Sequence, residues 1–165
     1  LTTSPIKPSW GFITSHPVHF LSFGLGSGLS PVAPGTAGTL AAFPVYWLLV
    51  QWVNGPALLA LLALLFVVGV WTCQKTGLAL GVPDHGGIVW DEIVAFMLVL
   101  YFTPLAWLWY AVAFGLFRLF DIRKPFPIHY FDRRLKNGFG VMFDDLLAAG
   151  YSVLVLKGML WIVTI

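Results

Sequence analysis

The chain has 165 residues, of which nine are Lys or Arg, seven are Asp or Glu, and 59% are hydrophobic. Residues 8–74 form a 67-residue stretch without a charged side chain, and all seven acids fall between Asp84 and Asp145. Such a chain cannot furnish the charged surface of a soluble domain, and 16% aromatic residues with only 10% charged ones exclude disorder. The composition is that of an integral membrane protein. Its length suits one domain, residues 1–165, of a few spans of about 20 residues each. A net charge of +2 gives no basis for a nucleic-acid partner, and the single cysteine, Cys73, is expected to be a buried, inert thiol.

In chain order, residues 1–22 set Trp10, Phe12, His16, His19 and Phe20 among prolines, the pattern of a segment lying at the membrane interface. Phe23 to Pro31 and Pro34 to Thr39 are rich in Gly, Ser and Pro and read as loop. A first apolar helix is expected from about Thr39, a good N-cap, to Trp52, with Pro44 tolerated inside it and Asn54-Gly55-Pro56 as a turn. A second is expected from about Ala57 to Thr76, followed by a polar loop, Gly77 to Val89, holding Asp84-His85-Gly86-Gly87. Trp90-Asp91-Glu92 opens a third run that ends at Phe102, with carboxylates in the first turn where the helix dipole favours them. This run is roughly 20 Å long against a hydrocarbon core of about 30 Å, which suggests a shallow or re-entrant hairpin with the next helix. The fourth helix, from about Pro104 to Arg123, is stopped by Lys124-Pro125. Ile122 to Gly140 reads as a basic, aromatic loop, and Val141 to Ile165 as a final helix with Asp144-Asp145 near its start.

If the first two helices form one hairpin and the next two another, every polar cluster emerges on one membrane face. The other face receives only Asn54-Gly55-Pro56 and Thr103-Pro104. Lys75, Arg123, Lys124, Arg133, Arg134 and Lys136 share the charged face, which the positive-inside rule makes cytoplasmic.

Asp84, Asp91, Glu92, Asp121, Asp144 and Asp145 come from three separated segments. Oxygen-only ligands suit Mg²⁺, whereas zinc is disfavoured because His85 is the only histidine among them. Any single acid could merely cap a helix; six converging on one face point to a site. Arg118 and Asp121 lie one turn apart, as a phosphate clamp beside a metal ligand or as an intrahelical salt bridge. The Gly/Ser loop can offer backbone N–H groups to an anion at a helix N-terminus, or serve as a surface loop. His16, His19 and His129 read as interfacial, Asp132 as a partner of Arg133 or Arg134, and residues 126–136 as a contact for anionic lipid headgroups.

The segments Phe23-Gly-Leu-Gly-Ser-Gly-Leu-Ser-Pro31, Ala33-Pro-Gly-Thr-Ala-Gly-Thr-Leu40, Asp84-His-Gly-Gly-Ile-Val-Trp-Asp-Glu92, Arg118-Leu-Phe-Asp-Ile-Arg-Lys-Pro125 and Gly140-Val-Met-Phe-Asp-Asp-Leu146 resemble phosphatidylglycerophosphatase A. They occur in that family's order and cover residues 23 to 150. The resemblance implies a Mg²⁺-dependent enzyme of the bacterial inner membrane that converts phosphatidylglycerophosphate to phosphatidylglycerol and inorganic phosphate. It also implies an all-α fold, here a membrane bundle of about five to six helices with its polar loops on one face. The matching positions make Asp91, Glu92, Asp121, Asp144 and Asp145 the candidate metal ligands. Ser27, Gly28, Ser30, Thr36, Thr39, Arg118 and Lys124 are the candidates to bind phosphate, and Asp84, His85, Asp91 and Asp121 to act in catalysis. A water activated at the metal, with Asp84 or His85 handling protons, competes with an aspartyl-phosphate intermediate. Alternatives are a phosphatase for other phospholipid monoesters such as phosphatidic acid, and a small transporter or channel subunit, which would carry its acids near the bilayer midplane. No oligomeric state follows from the sequence.

Overall fold

A computed structural model describes residues 7–163, and these form eight α-helices and no strand. Two short helices come first, α1 (Trp10–Thr14) and α2 (Pro17–Ser22), each begun by a side-chain cap. Ser9 accepts from the Phe12 N–H and His16 from the Val18 N–H. They occupy most of the segment expected at the membrane interface, of which residues 1–6 lie outside the described residues. A 3₁₀ segment, Gly24–Leu29, follows and is broken by positive φ at Leu25 (58°) and Gly26 (104°).

The helix α3 (Pro34–Leu49) begins five residues before the expected cap at Thr39. Pro34 takes the first helical position, where its missing N–H is harmless. The Thr39 hydroxyl, instead of capping, donates to the Gly35 carbonyl at 2.9 Å. Pro44 sits inside α3, as expected. α4 (Gly55–Leu80) outruns its expected range at both ends and is closed by Gly81 at φ 72°, whose N–H reaches the Gly77 and Leu78 carbonyls. α5 (Trp90–Tyr101) and α6 (Trp107–Arg123) fall close to expectation. The basic, aromatic stretch is not all loop: α7 (Ile128–Arg134) lies inside it. The last helix, α8 (Gly138–Val163), starts where Asn137 Oδ1 accepts the Gly140 N–H at 2.9 Å; the final two residues of the expected helix lie outside the described residues.

The all-α expectation holds among the described residues, with eight helices in place of the expected five to six because the short α1, α2 and α7 are added. Among the described residues two helices, α4 and α8, are long and apolar enough to cross a membrane. In a soluble protein such helices would be core, yet only 28% and 22% of their most apolar windows are buried. Leu64, Val67 and Trp71 on α4 and Leu154, Trp161 and Ile162 on α8 are exposed. Large outward apolar faces fit lipid as the surrounding medium.

The pillar of the fold is α5, in which nine of 12 residues are buried. It packs against α3, α4, α6 and α8, while α8 also packs against α4, α6 and α7. Phe96 on α5 meets Phe43 of α3 and Phe114 and Phe117 of α6, with ring centroids 5.2, 6.0 and 5.4 Å apart. These aromatic contacts hold the first turn of α5 beside the start of α3 and the end of α6. At the same end, the Gly138 N–H donates to Gln74 Oε1 at 2.6 Å and ties the start of α8 to the end of α4.

Candidate active site

Asp91 and Glu92 occupy the first turn of α5, and Asp145 lies two turns into α8. One carboxylate oxygen from each falls within 4.8 Å of the other two. Asp91 and Asp145 are buried, and Asp91 Oδ1, Glu92 Oε2 and Asp145 Oδ2 have no hydrogen-bond partner. Three carboxylates at this spacing repel one another, and each unsatisfied buried oxygen costs about 1–3 kcal/mol. A bound cation, or protons shared among the carboxyls, would relieve this cost. An all-oxygen donor set without thiolate or imidazole fits Mg²⁺.

Cationic and donor groups face this cluster from two sides. From the last turns of α6, Arg118 Nη1 donates to Asp121 at 2.7 Å and to Thr39 Oγ1 of α3 at 3.2 Å, while its Nε is buried without a partner. Arg118 and Asp121 thus share one side of α6, as their spacing predicts. From α3, Gly35 approaches so closely that a Cβ there would collide with Glu92 Oε1 and stand 3.2 Å from Arg118 Nη2. The first turn of α3, which includes Thr36, therefore abuts Glu92 and Arg118. The first N–H groups of a helix have no partner within it and carry its positive dipole end.

A second ionic cluster is organised around Lys124, which follows α6 in a left-handed conformation (φ 41°). Its ammonium donates to Asp132 of α7 at 2.8 Å and to Asp144 of α8. Lys136 lies 3.6 Å from both Asp132 and Asp84. Burial alone would lower the Lys124 pKa, but the Asp144 and Asp132 carboxylates outweigh it and raise it above its usual range. Burial likewise works to raise Asp132, and Lys124 and then Lys136 outweigh it and hold the carboxyl below its usual value. The expected pairing of Asp132 with Arg133 or Arg134 is thus replaced by Lys124 and Lys136. Sequence neighbours on a helix do not face each other, whereas Lys136 lies four residues on.

The remaining expected residues lie in two interlocked loops. The Ser27 hydroxyl donates to the Gly24 carbonyl at 2.8 Å, Ser30 to Val32 at 2.8 Å, and the Gly28 N–H to Phe23 at 3.0 Å. Gly28 and Gly87 touch backbone to backbone, so a Cβ on either would clash. His85 Nδ1 accepts the Gly87 N–H at 3.0 Å. Of the other histidines, His19 has its Nδ1 2.9 Å from Thr76 Oγ1. Burial, and next the neighbouring His16, lower its pKa, so it ties α2 to α4 as a neutral ring. Cys73 is buried, as expected.

The structure therefore gathers Asp91, Glu92, Asp145, Asp121, Arg118 and Thr39 in one place, and Asp84, Lys124 and Asp144 in a second. The adjacent Asp144 and Asp145 join the two. Three contributors escape sequence reasoning: Gly35, Asp132 and Lys136. For Gly35 the available signal is Pro34, which marks a helix start one residue earlier.

Comparison with known proteins agrees along the chain. Residues 20–160 match the family model described as phosphatidylglycerophosphatase A. The Haemophilus influenzae protein named phosphatidylglycerophosphatase A is 51% identical over 141 residues, 85% of this chain and 86% of that one. The Escherichia coli K12 protein of the same name is 42% identical over 139 residues, 84% of this chain and 80% of its own. A Bacteroides thetaiotaomicron protein, provisionally named a phosphatidylinositol-3-phosphatase, is 39% identical over 147 residues, 85% of this chain and 91% of its own. No solved structure matches the chain. With its motifs, its buried acids and matches over most of its length in agreement, the chain belongs to the phosphatidylglycerophosphatase A family.

Proposed function

We propose that the chain removes the terminal phosphate of phosphatidylglycerophosphate, giving phosphatidylglycerol, with Mg²⁺ held by Asp91, Glu92 and Asp145. Family membership makes it a phosphatase, a phosphoric monoester hydrolase. The observation that carries the rest is the group of three clustered carboxylates with unpartnered oxygens, set against Arg118 and the start of α3.

When bound, the ion would supply Lewis-acid neutralisation of the phosphate charge. The chain's own groups do the remaining work. Arg118, with its buried, unpartnered Nε, and the first N–H groups of α3 at Gly35 and Thr36 are donors suited to phosphoryl oxygens. Thr39 fixes the guanidinium by accepting from Nη1. Asp121 aligns the same guanidinium, and serves as a ligand only by sharing itself with Arg118. Asp144 and Lys124 neutralise each other, so Asp144 reaches a metal, and Lys124 a phosphate, only when that pair opens. His85 uses Nδ1 as an acceptor, which in the neutral ring leaves Nε2–H as a donor. That tautomer can steady the leaving glycerol oxygen by a hydrogen bond; transfer of a proton to it requires the acid form of His85 or of Asp84.

The same reading gives a multi-pass protein of the bacterial inner membrane. The lysines and arginines at residues 75, 123, 124, 133, 134 and 136 lie on its cytoplasmic side, among anionic lipids. Exposed Trp52 and Trp107 suit the opposite interface, beside the uncharged turns.

Phosphate release from phosphatidylglycerophosphate in detergent, with Mg²⁺ and with excess chelator, tests this reading. Release that requires the divalent ion is expected; equal release in chelator would overturn the metal assignment. A phosphoenzyme trapped by rapid acid quench would replace direct attack by water with an aspartyl-phosphate route. A second reading, hydrolysis of other phospholipid monoesters, is favoured by the name of the Bacteroides relative. Phosphatidic acid hydrolysed as fast as phosphatidylglycerophosphate would support it.

A further inference from the structure

An apolar cavity of about 320 Å³ opens between α4, α5 and α8. Its volume lies at the lower end of the roughly 300–1,000 Å³ range of ligand pockets. Its position relative to the acids is the informative feature. On α5, Asp91 and Glu92 take the first turn, and the cavity residues Val94, Ala95 and Leu98 take the next two. Asp91, Val94, Ala95 and Leu98 follow helical spacing and so form one stripe. On α8, the cavity residues Met142 and Leu146 bracket Asp145. On α4 the lining runs from Leu59 to Val67, the half of the helix away from Gln74, which meets the start of α8. On α8 the lining is thus level with Asp145, and on α5 and α4 it lies deeper, so the cavity starts beside the acid cluster and runs toward the membrane interior. A phosphate monoester held at the cluster has this apolar slot as a near neighbour, one helical turn or less from Asp91 and Asp145 along α5 and α8.

From this adjacency we infer that the cavity seats one acyl chain of the phospholipid whose headgroup phosphate is hydrolysed. The inference rests on the function proposed above and adds a residue-level basis for choosing a lipid substrate over its free headgroup. Lipid tails are as apolar as the cavity wall, so seating a chain yields little transfer energy inside a membrane or micelle. Its effect is orientation: a chain fixed in the slot sets the depth and direction of the phosphate, and a misplacement of about 1 Å costs up to about 10²-fold in rate. The occupant is thus a chain attached to the reacting headgroup, not an unattached lipid or a second copy of the protein.

The test fills the slot and compares two substrates carrying the same headgroup. Ala63 and Val67 line the cavity from exposed positions on α4, so Ala63→Trp and Val67→Trp obstruct it from the rim with little disturbance of the core. Phosphate release is measured from long-chain phosphatidylglycerophosphate and from chain-free glycerophosphoglycerol phosphate. The expected result is a loss on the order of tenfold in kcat/KM for the lipid, with the chain-free compound hydrolysed at the wild-type rate. Wild-type rates on both compounds, or equal losses on both in the two variants, would overturn the slot. A wild-type protein that hydrolyses neither compound would instead overturn the functional reading on which the slot rests. A phosphatidylglycerophosphate with a photoreactive acyl chain provides a readout independent of turnover: labelling concentrated on Leu59, Leu62, Phe66 and Leu98 is expected, and labelling spread over outer-face residues such as Leu64 and Leu154 would overturn the proposal.

Discussion

The two ionic clusters at the polar end of the molecule use the same side chains in opposite ways. Around Lys124 every acid has a cation: Asp132 and Asp144 share its ammonium, and Lys136 approaches Asp132 and Asp84. Around Asp91 the acids face one another and three of their oxygens have no partner, against one, Asp144 Oδ1, around Lys124. A paired cluster stabilises the chain as it stands. An unpaired one costs stability, and under the function proposed above its occupant would be a cation. The contrast separates acids that hold α6, α7 and α8 together from acids left facing one another.

Substitutions should divide along that line. The largest effect is expected from Asp91→Asn and Asp145→Asn, with activity down on the order of 10²–10³-fold, as for loss of a preorganised electrostatic group. In metal-free buffer the same variants should unfold at the wild-type temperature or above it, because the change removes repulsion between unpaired charges. Phosphate release and thermal unfolding in detergent check both halves, and a marked drop in Tm would return these acids to a structural role. Next comes Gly35→Ala, whose Cβ would push the Glu92 carboxylate, and with it Arg118, out of place. A loss of about 10–100-fold is expected, typical of disturbing groups that orient a site, and wild-type kinetics would detach α3 from the chemistry. Lys124→Met should invert the first pattern. It strands Asp144, leaves Asp132 only Lys136, and should destabilise the protein by about 1–3 kcal/mol, read from chemical unfolding. The smallest effect belongs to Lys136→Ala, whose partners stand at 3.6 Å on an exposed surface. Less than about 1 kcal/mol and little change in turnover are expected.

Most of the fold was legible because hydrophobic runs and breakers are local signals. The start of α5 at Trp90-Asp91-Glu92 and the stop of α6 before Lys124-Pro125 follow directly from them. The start of α3 did not. Pro-Gly-Thr-Ala-Gly-Thr is loop chemistry in water, but small residues sit readily in helices that pack closely or meet lipid, and Gly35 and Gly38 are needed where α3 meets Glu92 and Val89. The helix α7 was hidden because its basic, aromatic composition also fits a surface loop. The acids were legible as a group, from their confinement to one part of the chain. Their division into paired and unpaired sets depends on how α5, α6 and α8 pack, which sequence spacing does not encode: Asp144 and Asp145 are adjacent, yet one meets Lys124 and the other lies with Asp91 and Glu92.

Calorimetric titration of the detergent-solubilised protein with Mg²⁺, in the absence of substrate, tests the central claim most directly. Saturable binding is expected in the wild type and in Asp132→Asn, and loss of binding in Asp91→Asn and Asp145→Asn. Binding that survives unchanged in the latter two would contradict the assignment of the unpaired cluster as a metal centre.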